Sequence, residues 1–435
     1  MEAILSSTPA DTPPALGPAA QRASESLSTL RIPTTRAESH RFTDLQPVLN
    51  TEATLVAAPA GALSSDLLRQ VRTEKALEEC AGATVVLADG HWDLASSDLA
   101  TKKQGGVFLG RLEDAPADIQ AQAGVLTSMR GGCLAQLNAA TAPDCVVLHV
   151  AKGVHVSTPI HIISVSSSSS PSTATMVSAP RVLVVLEEGA EAEVVEEFCC
   201  ADGKGTHAYV VNAVLEAHLA KASVFHHRYV ANEAPTGAHL KTTLVDQAVK
   251  SAYHLTEVRV GGTLTRHDVD IEQLGEKTVT NMRHFILCGP RETHDLHSTL
   301  VLDHPEGTAD QLHKCIAVDG TSRGVFDGNV QVRQKAQGTD AAQLTRNLLL
   351  AKGASVYARP NLQIVADDVK CTHGCTVSDL EDEQVFYFLS RGIDAEAARS
   401  ALVYSFGMEV VGELPYTPLR ERLQKVISAT LEQKV

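Results

Sequence analysis

A long, helix-poor series of short strand patterns restricts this chain more than any other feature. It opens with Cys145–Val150, Ile160–Val165, Arg181–Leu186 and Glu193–Phe198, and it runs on to Gln363–Val365. Many runs alternate apolar and polar residues, as in His297-Ser298-Thr299-Leu300-Val301-Leu302. Turn signals punctuate them at short intervals: Gly261-Gly262, Gly289-Pro290, Pro305-Glu306-Gly307, Asp319-Gly320 and Gly353. Such a series builds a sandwich, a barrel or a β-solenoid. About 220 residues is long for one sandwich, whereas a solenoid grows by adding coils. No hexapeptide or nonapeptide repeat marks the coils, so periodicity leaves solenoid and sandwich open.

Helical patterns flank this region. Asp66–Gly82 carries Leu67, Leu68, Val71 and Leu77 at near-helical spacing, within an α+β stretch over residues 21–142. Residues 1–20 lack periodicity and read as a disordered tail rather than a secretory signal or a targeting remnant. After residue 377 three amphipathic helices follow. Ser378-Asp379-Leu380-Glu381 matches a capping box, Gly392 a stop, Asp394 a second cap, Gly407 a second stop, and Thr417-Pro418 a third start. A unit this small must bury its apolar face on the β body or on a partner. The division expected is therefore tail 1–20, α+β region 21–142, β core 143–376 and helical subdomain 377–435.

Composition narrows the function. The net charge is −15 and aromatics are 4%, which disfavours nucleic acid, anionic membrane surfaces and sugar-stacking clefts. No apolar run approaches a membrane span. Nine cysteines at irregular spacing suit a reducing compartment. Gly203-Lys204-Gly205-Thr206 lacks the glycine spacing of a nucleotide-binding loop, and no hydrolase elbow or zinc-protease motif is present. Twelve of the 18 histidines fall between His207 and His313 and read as polar residues on exposed strand faces. Cys288 and Cys315 read as small core residues. Cys371-Thr372-His373-Gly374-Cys375 is the densest set of soft ligands. In an extended segment Cys371, His373 and Cys375 project to one side, toward an ion or a partner, although the spacing alone matches no common zinc site.

Around this segment the sequence resembles the SufB/SufD family, scaffold subunits of the Suf iron–sulfur cluster assembly machinery. The stretches that carry the resemblance are Phe326-Asp327-Gly328, Gln334-Lys335-Ala336-Gln337, Arg346-Asn347-Leu348-Leu349-Leu350, Ala366-Asp367-Asp368-Val369-Lys370-Cys371, His373-Gly374, Phe386-Tyr387 and Ser390-Arg391-Gly392-Ile393. Pro33, Arg36, Glu38, Arg41 and Thr43-Asp44-Leu45 resemble the family's opening element. The Asp-Asp-Val-Lys-Cys-x-His-Gly form is that of the SufD branch. Three positions depart from the pattern: His40 stands for a tryptophan, Thr345 for an asparagine, and Cys375 for a small residue.

The resemblance implies a right-handed parallel β-helix core and a non-catalytic scaffold. It implies pairing with a SufB paralogue through the end of the β-helix, and a C-terminal helical unit that docks the SufC ATPase. It places His373, with Cys371 and Cys375 beside it, at the subunit interface facing a transient iron–sulfur cluster, His373 being the candidate metal ligand. Phe386, Leu389, Arg399, Leu402 and Phe406 are the expected docking face. The setting implied is a plastid stroma or a bacterial cytoplasm. The alternatives are a scaffold that self-associates without SufB, and a β-helix enzyme acting on polysaccharide, which the sequence supports least.

Overall fold

Residues that alternate in character along a strand need two different surroundings, one on each face. The computed structural model supplies both by coiling the strands into a flattened parallel solenoid of about seven turns. It describes residues 15–45, 53–56, 63–99, 105–167, 175–201, 205 and 207–432. Most of the expected tail, and residues 168–174 within the β region, therefore lie outside the described residues. The described chain is already helical at Pro18, inside the segment assigned to the tail.

The early strands are β1 (Ala53–Leu55), β2 (Thr84–Ala88), β3 (His91–Trp92), β4 (Val107–Arg111), β5 (Val146–Val150), β6 (Ile160–Ser166), β7 (Thr175–Ser178) and β8 (Arg181–Leu186). The coils proper follow as β9 (Glu191–Cys200), β10 (Tyr209–Leu219), β11 (Val224–Glu233), β12 (Gly237–Gln247), β13 (Ala252–Gly261) and β14 (Leu264–Gln273). The last are β15 (Val279–Cys288), β16 (Thr293–Leu302), β17 (Thr308–Ala317), β18 (Arg323–Val332), β19 (Asp340–Leu349), β20 (Ser355–Ile364) and β21 (Lys370–Ser378). Two sheets result. One runs β20-β18-β16-β14-β12-β10-β8-β5-β4, the other β21-β19-β17-β15-β13-β11-β9-β6-β2-β3. Strands β2 to β4 thus extend both sheets backward into the region before residue 143.

Register explains why no short repeat is visible. Val224 pairs with Ala252, then Val279, Thr308, Asp340 and Lys370, intervals of 28, 27, 29, 32 and 30 residues. Each coil is two ten-residue strands plus two turns, and the turns vary in length. The periodic quantity is the inward side chain, not the sequence.

Helices cover both outer faces. α1 (Pro18–Leu27) and α5 (Cys133–Thr141), with the short α3 (Ala117–Gln120) and α4 (Val125–Arg130) between them, cover Val147, Leu183, Val210 and Leu240 on the first sheet. α2 (Ser65–Lys75) caps early coils of the second sheet. It stops at Lys75, short of the expected Gly82. α7 (Ala395–Val411) and α8 (Thr417–Glu432) lie on Val230, Val258, Phe285, Leu287 and Ile316 of the second sheet. The helical unit therefore buries its apolar face on the β body. Asp394 caps α7, its carboxylate accepting from Ala397 N at 2.9 Å. Two expectations fail here. Gly407 does not end α7. It lies inside the helix, where a Cβ would come within 2.7 Å of the Phe285 ring. The Ser378–Glu381 capping box does not form, because α6 (Asp382–Leu389) starts after Glu381 without a side-chain cap and Asp379 pairs with Arg399 instead.

Candidate functional site

The last coil is where the solenoid stops being covered. β20 and β21 each pair with one neighbour only, leaving one backbone edge of each without a strand. Their side chains are mostly exposed or half-buried, unlike every earlier coil. On β21, Cys371, His373 and Cys375 stand opposite Ala341, Gln343 and Thr345 of β19. Alternation therefore gives them one common face, the one that continues the solenoid interior. Cys371 is half-buried and packs on the interior core, while His373 and Cys375 are exposed. Successive members of this row sit about 7 Å apart along the strand. Among the described residues no group of three His, Cys, Asp or Glu side chains is arranged to hold a metal ion.

Burial raises the Cys371 thiol above its ordinary pKa, with Asp340 adding to the effect, and burial also raises Cys375. No cation offsets either shift. This chain by itself keeps both thiols protonated rather than priming them as thiolates. The His373 side chain forms no hydrogen bond or ion pair with any other described residue.

Beneath this open face lies what sequence reasoning missed. The histidines expected on exposed faces are in large part interior: His227, His239, His267, His284, His294 and His313 are fully buried. They share the lumen with Glu196, Lys241, Glu257 and Arg259. Lys241 Nζ donates to both oxygens of Glu196, at 2.6 and 2.7 Å, and His227 Nε2 lies 2.7 Å from the same carboxylate. Burial would push the Glu196 carboxyl up, but Lys241 and His227 outweigh it and hold it near about 2. Glu257 accepts from His267 Nδ1 at 3.1 Å and His284 Nδ1 at 2.7 Å, with Arg259 Nε at 2.5 Å. Neighbouring histidines at odd spacing explain why: His226 faces outward while His227 faces in, and His297 is half-buried while His294 is buried. Only the coil register shows which member goes inside. Cys288 and Cys315 pack in the same core, their sulfurs 3.7 Å apart. Cys199 and Cys200 face opposite sides, yet both are buried, because α2 covers the outer one.

The expected docking residues separate into two groups. Phe386 and Leu389 on α6 are 69% and 43% exposed, together with Tyr387 and Ile393. α6 buries none of its residues. Leu402 and Phe406 instead turn toward the last coils, where Lys314 Nζ lies 4.1 Å from the Phe406 ring centre. Arg399 bridges to Asp379, tying α7 to the end of β21. The helical unit is thus held against β21, and α6 projects from it with an apolar face uncovered.

A flattened parallel solenoid with one open coil and flanking helices defines a class of large parallel β-solenoid proteins. Comparison with known proteins narrows this. Residues 167–406 match the family model described as the SUF system FeS cluster assembly SufBD core domain. The chain is 37% identical to the Arabidopsis thaliana protein ABCI7, chloroplastic, over 99% of this chain and 89% of that one. It is 32% identical to an iron–sulfur cluster assembly SufBD family protein of Synechocystis, over 94% and 89% of the two chains. It is 28% identical to the iron–sulfur cluster assembly protein SufD of Escherichia coli, over 93% and 91%. The chain belongs to the SufBD family, and its likeness to the Escherichia coli protein named SufD extends over nearly its whole length.

Proposed function

We propose that this chain is a SufD-type, non-catalytic scaffold subunit of an iron–sulfur cluster assembly complex. Its open coil pairs with a SufB-type paralogue, and its C-terminal helices dock a SufC-type ATPase. His373 faces a transient cluster built at the junction with the paralogue, and Cys371 and Cys375 flank it. The cluster is cargo, not a resident group, which suits a row of side chains spaced too widely to chelate alone. The observation that carries this reading is the terminal coil. It leaves two strand edges unpaired and presents His373 on them, a geometry completed by a second solenoid end rather than by solvent.

Motion supplies the link to ATP. Arg399 and Asp379 join α7 to the last residues before α6, so displacement of the helical unit by a dimerising ATPase pulls on the end of β21. The compartment that fits is a plastid stroma or a bacterial cytoplasm. No helix among the described residues is long and apolar enough to cross a membrane.

Anaerobic purification of the tagged chain from its host, with partner identification and cluster spectroscopy, tests the reading. Wild type is expected to bring a paralogue, an ATPase and cluster absorbance. His373→Ala is expected to bring both partners but little cluster, with stability within about 0.5 kcal/mol of wild type because the side chain is exposed. Undiminished cluster in that variant, or recovery of a homodimer free of any paralogue, contradicts the proposal.

A further inference from the structure

The interior network runs from coil to coil as far as Gln343, the register neighbour of His373. Glu257 is fully buried and is held ionised by His267, Arg259 and His284, so it only accepts hydrogen bonds. His284 must therefore carry its proton on Nδ1, which lies 2.7 Å from Glu257 Oε2. In the neutral ring Nε2 is then the acceptor, and the neighbour facing it at 3.4 Å is Gln311 Nε2. The Gln311 amide also donates to Ser298 Oγ at 2.8 Å. Ser298 Oγ also lies 3.3 Å from Gln311 Oε1, the oxygen that faces the next coil. Gln343 Nε2 donates to that oxygen at 2.9 Å. With Nε2 used on Gln311, Oε1 is the end of the Gln343 amide left without a partner. The assignments along the column are mutually consistent with the anion at the base.

Gln343 Oε1 is buried and has no hydrogen-bond partner among the described residues, and the residue as a whole is only 2% exposed. A buried acceptor left unpaired forfeits the hydrogen bonds that water would give it, so the site favours any donor that can reach it. The side chain one strand above it in register is His373. Gly328, in the Phe326-Asp327-Gly328 motif, secures the arrangement from the facing sheet. A Cβ there would stand 2.4 Å from Gln343 Nε2, so any other residue would displace the amide.

We propose that Gln343 is the positioning residue of His373: its side-chain carbonyl takes one imidazole N–H and turns the other ring nitrogen, lone pair outward, across the open coil. This rests on the reading of His373 as the residue that faces the partner and its cargo. It deepens that reading by saying why a side chain on an uncovered strand presents one defined nitrogen. The arrangement is the same device by which a ligating histidine is held through its second nitrogen. The other neighbours on this face, Ala341, Thr345, Cys371 and Cys375, offer no comparable carbonyl. Thr345 Oγ1 is already engaged by His313 and Asn347.

The test uses the full chain with histidine-selective 15N labelling at pH 8, His373→Ala assigning the resonance by its loss. Wild type is expected to show a resolved ring N–H proton for His373 and one dominant tautomer. Gln343→Met, which keeps the volume but removes the carbonyl, is expected to lose that proton signal and shift the tautomer ratio about 3- to 10-fold. Gln343→Glu, which keeps an acceptor at the same place, is expected to retain the signal and serves alone should Gln343→Met not fold. A wild-type spectrum without a resolved His373 N–H overturns the proposal, as does a Gln343→Met spectrum identical to wild type. Because these signals are read without partners or cargo, their failure is separate from that of the functional reading. A normal His373 N–H beside normal cluster yield from His373→Ala would remove the reading and leave the hydrogen bond.

Discussion

At the scale of single residues, the interior titrates. Burial lowers His267 to about 4 against 6.5 in an unfolded chain. Between those values the unfolded chain binds the extra proton, so stability falls as pH drops from about 6.5 toward 4. Glu196, held near about 2 against 4.5, extends the loss at lower pH, since its protonation breaks the pairs with Lys241 and His227. His227 and His294 are shifted down by burial as well and act in the same direction. Thermal midpoints measured in steps from pH 7.5 to 4.5 are expected to hold above about 6.5 and then fall steadily. A flat profile down to pH 4.5 would show that these side chains are hydrated and not enclosed. Cys371, His373 and Cys375 instead line the open coil on β21, where His373 and Cys375 are exposed.

At the scale of elements, the C-terminal helices divide by what they cover. α7 and α8 seal an apolar sheet face, so removing residues 378–435 would expose Val230, Val258, Phe285 and Ile316 together, and the remaining solenoid is expected to aggregate. Point changes separate folding from docking better. Gly407→Val drives a side chain into the Phe285 ring and is expected to cost about 1–3 kcal/mol, read as a lower thermal midpoint. An unchanged midpoint would mean that α7 is not seated there. Phe386→Asp with Leu389→Asp alters exposed positions only. It is expected to leave the midpoint unchanged and to abolish co-purification of the ATPase while the paralogue stays bound. Retention of the ATPase by that double variant would move the docking face elsewhere, with Leu402 and Phe406 already committed to the last coils.

At the scale of the whole molecule, the solenoid was legible only up to a tie. Alternation and turn spacing located the strands, but coils of 27 to 32 residues with unequal turns leave no repeat to count, and the resemblance had to decide. The helical tail was legible through Asp394 and Gly392. It misled at Gly407, where the missing side chain serves a close approach rather than a stop. The row Cys371, His373, Cys375 was legible from alternation alone. The column beneath it was not, because Glu257, His284, Gln311 and Gln343 lie in four coils and meet only once the register is known. On the proposed function, the open coil bearing His373 is where a second β-solenoid subunit joins. A photo-crosslinking residue introduced at the exposed Thr372, in the full complex isolated from its host, tests this most directly. A cross-link to a SufB-type paralogue is the predicted result; cross-links confined to the ATPase or to a second copy of this chain, in a complex that still assembles, would contradict it.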